Sequence, residues 1–207
     1  MQDDFSLEPR PGSVRPGGRT ARTRQLVLDA ALAEVSESGY AGVSIERIAK
    51  RAGVAPSTVY RRWRTVENVV LDIADKIATE HIELAPSQDL ESDLRALTRG
   101  IVTLYRVPVH RTWMDVMVSS AVREERARDT LHQTLMSRIA TTSAMVERAI
   151  LRGEVPPDTD TEEVVRVAAA PLYYRMYITC EEIDEEIADR CARMAALAAR
   201  NGILTKR

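Results

Sequence analysis

The sequence predicts an all-α fold of about nine helices, and three observations carry that prediction. Apolar residues recur at helical spacing in segment after segment, with Ser, Thr or Asp at the starts and Gly or Pro at the ends. Nine glycines and 4% aromatic residues are too few for many strands and tight turns. Apolar residues make up 44% and charged residues 29% of 207, a mix that buries a core and is unlike a disordered chain.

Residues 1–18 read as a disordered basic arm, because Pro9, Pro11, Gly12, Pro16, Gly17 and Gly18 crowd together without an apolar period. Arg10, Arg15, Arg19, Arg22 and Arg24 run through and beyond it with no acid between them. The arm is either a solubilising tail or a contact to DNA phosphates or a minor groove. From about Thr20 the pattern turns helical: Leu28, Ala31, Leu32 and Val35 share a face, and Gly39 ends the helix. Ser44 suits an N-cap for a short helix with Ile45, Ile48 and Ala49 inward. Gly53 breaks that helix, Pro56 restarts it, and Val59 and Trp63 line the next inner face. Thr65 caps a fourth helix carrying Val66, Val70, Ile73 and Ile77, closed by Pro86.

The rest is helical too. After Ser87, the residues Leu90, Leu94, Leu97, Ile101 and Leu104 make a long stripe. Pro108 interrupts, and a shorter piece bears Trp113, Met114, Met117 and Val118. A long helix from about Glu124 to Arg152 carries Leu131, Leu135, Ile139, Met145, Val146 and Ala149, and Gly153 with Pro156-Pro157 stops it. Thr161 starts another through Val164, Val167, Ala168 and Leu172, kinked at Pro171. Asp184 caps the last, with Ile187, Cys191, Met194 and Leu197 on one face and Gly202 beyond its end.

The net charge of −2 hides an asymmetry. Residues 10–64 hold 11 basic and 4 acidic side chains, whereas residues 65–207 hold 18 basic and 24 acidic ones. A basic head on an acidic body suggests a polyanion-binding head and a body with another task. No run approaches the ~18 apolar residues of a membrane span. The start Met1-Gln2-Asp3-Asp4-Phe5 lacks the form of a secretion signal. Cys180 and Cys191 cannot build a disulfide framework or a four-cysteine zinc site, and they read as buried thiols. A reduced, cytoplasmic protein is therefore expected. Gly-rich phosphate loops, His-Glu-x-x-His and Gly-x-Ser-x-Gly are lacking, and His81, His110 and His132 are widely spaced. No catalytic residue, metal or cofactor is expected.

The densest signal spans Ser44 to Trp63. Two helices crossing steeply need a small residue, Ala49; the turn needs a backbone that tolerates positive φ, Gly53; and Val59 points back to Ile48. This spacing marks a helix-turn-helix that lays its second helix in the major groove. Through Ala30-Ala31, Gly39-Tyr40, Ile48-Ala49, Ala52-Gly53-Val54, Val59-Tyr60 and Glu67, the chain resembles the tetracycline-repressor (TetR) family of bacterial regulators. The stretch Pro171-Leu-Tyr-Tyr-Arg175 is similar to one subgroup's C-terminal domain.

The resemblance implies an all-helical homodimer: a helix-turn-helix DNA-binding domain at 19–65, and a ligand-binding and dimerisation domain at 66–207. It places Ser57, Thr58, Arg61 and Arg62 on the groove-facing side and Tyr60 at a phosphate. Ser44 and Arg64 complete the DNA-binding set. Arg pairs bidentately with guanine, and hydroxyls bond bases or phosphates. The alternatives are a solvated face for Arg61 and Arg62 and a core position for Tyr60. Ala55 stands where the family usually has a polar cap, and Val66 replaces the lysine that opens the fourth helix, removing one common phosphate contact.

A small-molecule cavity is expected among Leu104, Tyr105, Trp113, Met117, Met136, Met145, Tyr173 and Met176, since methionine fills irregular space. For any single one of these, ordinary core packing is the favoured alternative. His110 could orient a ligand or sit at a surface or helix start. Ile187, Cys191, Met194, Leu197 and Ala198 are the expected dimer interface, two helices per subunit forming a four-helix bundle. The resulting expectation is a ligand-responsive repressor that binds a palindromic double-stranded operator as a homodimer, without membrane contact. The alternative is a small-molecule-binding or interaction protein whose basic head meets an acidic partner instead of DNA.

Overall fold

Local side-chain chemistry sets most helix boundaries in the computed structural model, which describes residues 17–82 and 85–206. Among these residues run α1 (Gly17–Ser38), α2 (Ile45–Ala52), α3 (Pro56–Trp63), α4 (Val66–His81), α5 (Leu90–Arg106), α6 (Pro108–Arg123), α7 (Glu125–Leu151), α8 (Thr161–Tyr174) and α9 (Glu185–Arg200). The hydroxyls of Ser44 and Thr65 accept the backbone N–H groups of Arg47 and Asn68, capping α2 and α4. Asp89, Asp160 and Asp184 do the same for α5, α8 and α9, where a carboxylate also meets the positive end of the helix. α3 begins at Ala55 without a side-chain cap, and Pro56 at its first position presets the backbone angle.

Two boundaries differ from the sequence reading. α1 starts at Gly17 rather than near Thr20, so Gly17 and Gly18 belong to a helix; the rest of the expected arm lies outside the described residues. α4 ends at His81, well before Pro86. Pro171 does sit inside α8, which gives way after Tyr174 to a π-helical turn, Arg175–Thr179.

Packing divides the work. Val27, Leu28, Ala31 and Val35 of α1 are buried against Ile48 and Ala49 of α2, Val59 and Trp63 of α3, and Val69, Val70 and Ile73 of α4. Glu34, almost wholly buried, accepts from Arg47 at 2.8 Å and Arg51 at 2.7 Å, tying α1 to α2. In the body α5 is central, touching α4, α6, α7, α8 and α9. Its predicted stripe of Leu90, Leu94, Leu97, Ile101 and Leu104 is buried throughout. Full burial of each such side chain contributes about 1.5–3 kcal/mol of transfer free energy.

Gly53 adopts φ 66° and ψ 34°, and its N–H closes the end of α2 on Ala49 and Lys50. No atom lies within 4 Å of where a Cβ would be, so any penalty there is conformational rather than steric crowding. Gly53→Val should lower folding stability by about 1–2 kcal/mol, and Gly53→Asn by less, because Asn tolerates left-handed backbone. Urea unfolding checks this; equal midpoints for Gly and Val would refute the strain.

Candidate functional site

The eight-residue α3 has one inward seam, made by buried Val59 and Trp63. At 100° per residue, Ser57 and Arg61 lie opposite it, and both are exposed. Thr58 is half-buried on one flank. Tyr60, 45% exposed, is no core aromatic; its hydroxyl donates to Glu46 Oε1 at 2.7 Å. Arg62 is exposed as well. Its guanidinium lies over the Trp63 ring, 5.2 Å from the centroid. Trp63 Nε1 in turn donates to Asp72 Oδ2 at 2.8 Å, and Arg24 Nε donates to the same oxygen at 3.1 Å. α1, α3 and α4 thus share one carboxylate. Arg64, exposed, holds φ 65° just after α3, and Ser44 is occupied in capping α2. Thr20, Thr23 and Arg24 of α1 border a cleft with Thr58, Arg61 and Arg62. Sequence reasoning passed over the two threonines, whose only signal was their place in the arginine-rich first turns of α1.

A cavity of about 320 Å³ opens in the body between α4, α5, α6, α7 and α8. Of the expected residues, Leu104, Tyr105, Trp113, Met136 and Tyr173 line it. Met117, Met145 and Met176 do not; all three are buried in the core away from the cavity wall. His110 is buried at the start of α6 and lies off that wall, so the surface position does not hold. The Tyr105 and Tyr173 rings meet edge-on at 6.0 Å between centroids. Burial raises both phenol pKa values. The last turns of α4 contribute Ala74, Ile77, Ala78 and Ile82, none of them expected here. Gly100 keeps this end of α4 close, since a Cβ there would sit 3.1 Å from Ile82. Arg138 was also missed. Its signal was a lone cation among Leu135, Ile139 and Thr142, on an otherwise apolar helix face.

Between head and cavity lies a polar junction. The Tyr40 hydroxyl sits 2.9 Å from Thr130 Oγ1 of α7 and 3.4 Å from Glu67 Oε1 of α4. The Arg126 guanidinium bonds Glu67 and lies 5.8 Å from the centroid of the Tyr40 ring. Burial opposes ionisation of Glu67, but the bond from Arg126 and the local N–H groups outweigh it and hold its pKa at about 2. An unfolded glutamate titrates near ~4.3, so this contribution is fully present above that pH and lost as pH falls toward 2. Glu67→Gln should therefore destabilise the protein at pH 7, and the difference from wild type should shrink as pH drops below ~4.3. Urea unfolding at several pH values reads this; a gap independent of pH would contradict it.

On α9, Met194 is 58% and Leu197 50% exposed, and Ile187 and Ala198 are half-buried. Cys191 does not join them. It is only 4% exposed, turned into its own chain's core with Ala188, Ala192, Ala195 and Ala199. Burial raises its thiol pKa. Small side chains let α9 pack closely on α5 and α8, so the inward face is the alanine face. Tyr174 and Ile178, from α8 and the turn after it, are also exposed. Cys180 is exposed as well, against the expectation of a buried thiol. Among the described residues no helix is long and apolar enough to cross a membrane, and no group of three or more His, Cys, Asp or Glu could hold a metal.

Residues 27–73 match the family described as bacterial regulatory proteins, tetR family, and residues 84–195 match the tetracyclin repressor-like C-terminal domain. The chain is 28% identical over 172 residues to the HTH-type transcriptional regulator AqdR of Rhodococcus erythropolis, covering 83% of this chain and 82% of that protein. It is 27% identical over 154 residues to the DNA-binding transcriptional repressor TetR of Mycobacteroides abscessus, covering 72% and 80%. In fold it is similar to a TetR family transcription regulator from Marinobacter aquaeolei VT8, with TM-score 0.57, 22% identity, and 87% and 96% of the two chains covered.

Proposed function

Because the chain belongs to the tetracycline-repressor family and is a DNA-binding, helix-turn-helix transcription regulator, we propose that it is a dimeric repressor released from a palindromic operator when its cavity fills. In this reading residues 19–65 bind DNA, with Ser57 and Arg61 at base edges. Ser44, Thr58, Tyr60, Arg62 and Arg64 flank them toward the phosphates. Residues 66–207 hold the ligand and the dimer interface, the latter through Ile187, Met194, Leu197 and Ala198.

One observation carries the release step. α4 and α7 both wall the cavity, and the same two helices meet the head at the junction of Glu67, Arg126, Thr130 and Tyr40. A ligand that prefers one spacing of α4 and α7 shifts the junction, and with it the angle of α3. Only a difference in ligand affinity between the two arrangements can drive that change. Coupling of this kind is typically about 1–3 kcal/mol, or 5- to 150-fold in operator affinity.

The test is selection of genomic fragments by the full chain, followed by titration of the recovered duplex over a range of salt. A palindromic duplex with affinity falling steeply as salt rises is the expected result. Recovery of no sequence above random DNA would favour an acidic protein partner for the basic head and overturn the repressor reading.

A further inference from the structure

The cavity wall is almost wholly apolar, yet two arginines border it, and their surroundings differ. Arg166 is matched by Glu162 at 2.7 Å and Glu163 at 3.4 Å. Arg138 has no such partner among the described residues. Its side chain is only 19% exposed, and its one ion-pair contact among the described residues is Asp75 at 3.9 Å, an acid that is itself 71% exposed on the solvent side. Burial accordingly pulls the Arg138 pKa down, with Asp75 opposing. A cation held this deep without a matched anion is costly unless a ligand completes the pair.

The remaining polar groups on the wall point the same way. Thr134 and Thr142 spend their hydroxyl protons on the carbonyls of Thr130 and Arg138 in α7. Trp113 Nε1 is buried and has no hydrogen-bond partner among the described residues. Beside the Tyr105 and Tyr173 hydroxyls, which can donate as well as accept, the unspent groups are donors: one guanidinium and one indole N–H. A carboxylate accepts from both kinds and donates to neither.

We propose that the effector is an apolar monoanion, a carboxylate on an alkyl or aryl body, with Arg138 as its counter-ion and Trp113 Nε1 donating to a further acceptor. This rests on the reading of the cavity as the effector site and names the chemical class that site takes. At the ~30 Å³ that a water occupies in the liquid, the cavity of about 320 Å³ has room for roughly ten non-hydrogen atoms, the size of a medium-chain carboxylate.

Calorimetric titration of the full-length protein with octanoate, octanol and octylamine tests the assignment, with operator release measured on the same samples. Octanoate should bind at least tenfold tighter than octanol, and octylamine should bind more weakly than either. Arg138→Met should erase the advantage of octanoate while leaving octanol affinity unchanged, which also reports an intact cavity. Arg138→Lys should restore part of the advantage. Equal affinity for octanoate and octanol in the wild type, an advantage that survives Arg138→Met, or no binding of octanoate would each overturn the proposal. If octanoate binds through Arg138 but operator affinity does not change, the anion site stands and the release reading fails. If octanol releases the operator as well as octanoate does, release stands and the anion assignment fails.

Discussion

Replacing Met194 and Leu197 together by glutamate is expected to leave a folded monomer with operator affinity lower by about 10²–10⁴-fold. Both side chains are at least half exposed on α9 of the single chain. Tyr174 and Ile178 add exposed apolar area on α8 and the turn after it, and α8 and α9 pack on each other. A two-fold axis would bring each of these helices against its own copy, the arrangement of a four-helix bundle. Four glutamates placed in that seam would have to be buried unpaired, which the interface cannot sustain. The affinity loss follows because two linked heads read a palindrome as one event, whereas separate heads each bind a half-site. Neither substitution enters the chain's own core, so helix content should stay as in the wild type. Sedimentation at micromolar concentration decides it. A monomeric wild type, or a dimeric double variant with unchanged affinity, would refute the interface.

What could be read from the sequence was whatever depends on near neighbours. Ser44, Thr65 and Asp184 cap helices where they were expected to, because a capping bond reaches only two or three residues. Gly53 takes the positive φ that its turn requires. The nine helices of the described residues and the head were legible for the same reason. The errors fall where a side chain chooses between two faces of one helix. Cys191 was grouped with Met194 by size and spacing, but the alanines beside it decide which way α9 turns, since only they let α5 approach. Met117, Met145 and Met176 are as apolar as Met136, and nothing in their spacing says which wall surrounds a void. Arg138 was passed over because a cation on an apolar face is usually one that reaches solvent. Its burial depends on α4 and α8 packing against α7, and α4 lies more than fifty residues earlier in the chain. The junction at Tyr40 is of the same kind, joining residues 90 apart.

Arg61→Ala should relax the preferred base at one position of each half-site, whereas Arg62→Ala should weaken all sequences about equally. The two arginines are adjacent, but one step along α3 turns a side chain by 100°. Arg61 lies opposite the Val59–Trp63 seam, the side that a recognition helix presents to the groove. Arg62 is held over Trp63, whose indole is fixed by Asp72, so its guanidinium stands at the flank of the helix beside the first turns of α1. From there it would meet the sugar–phosphate wall, and phosphate contacts carry no sequence information directly. A bidentate arginine–guanine pair discriminates by about 1–3 kcal/mol, which is roughly 5- to 150-fold between the right and wrong base. Losing a phosphate contact instead lowers every affinity together and shallows the salt dependence by about one contact. Arg62→Ala also removes the stacking on Trp63, worth about 0.5–1 kcal/mol at an exposed site, so a small fall in thermal midpoint should accompany it and be absent in Arg61→Ala. The measurement is binding of both variants to a panel of single-base operator changes at fixed salt. An Arg61→Ala protein that loses affinity evenly across the panel, beside an Arg62→Ala protein that changes the preferred base, would reverse the two assignments.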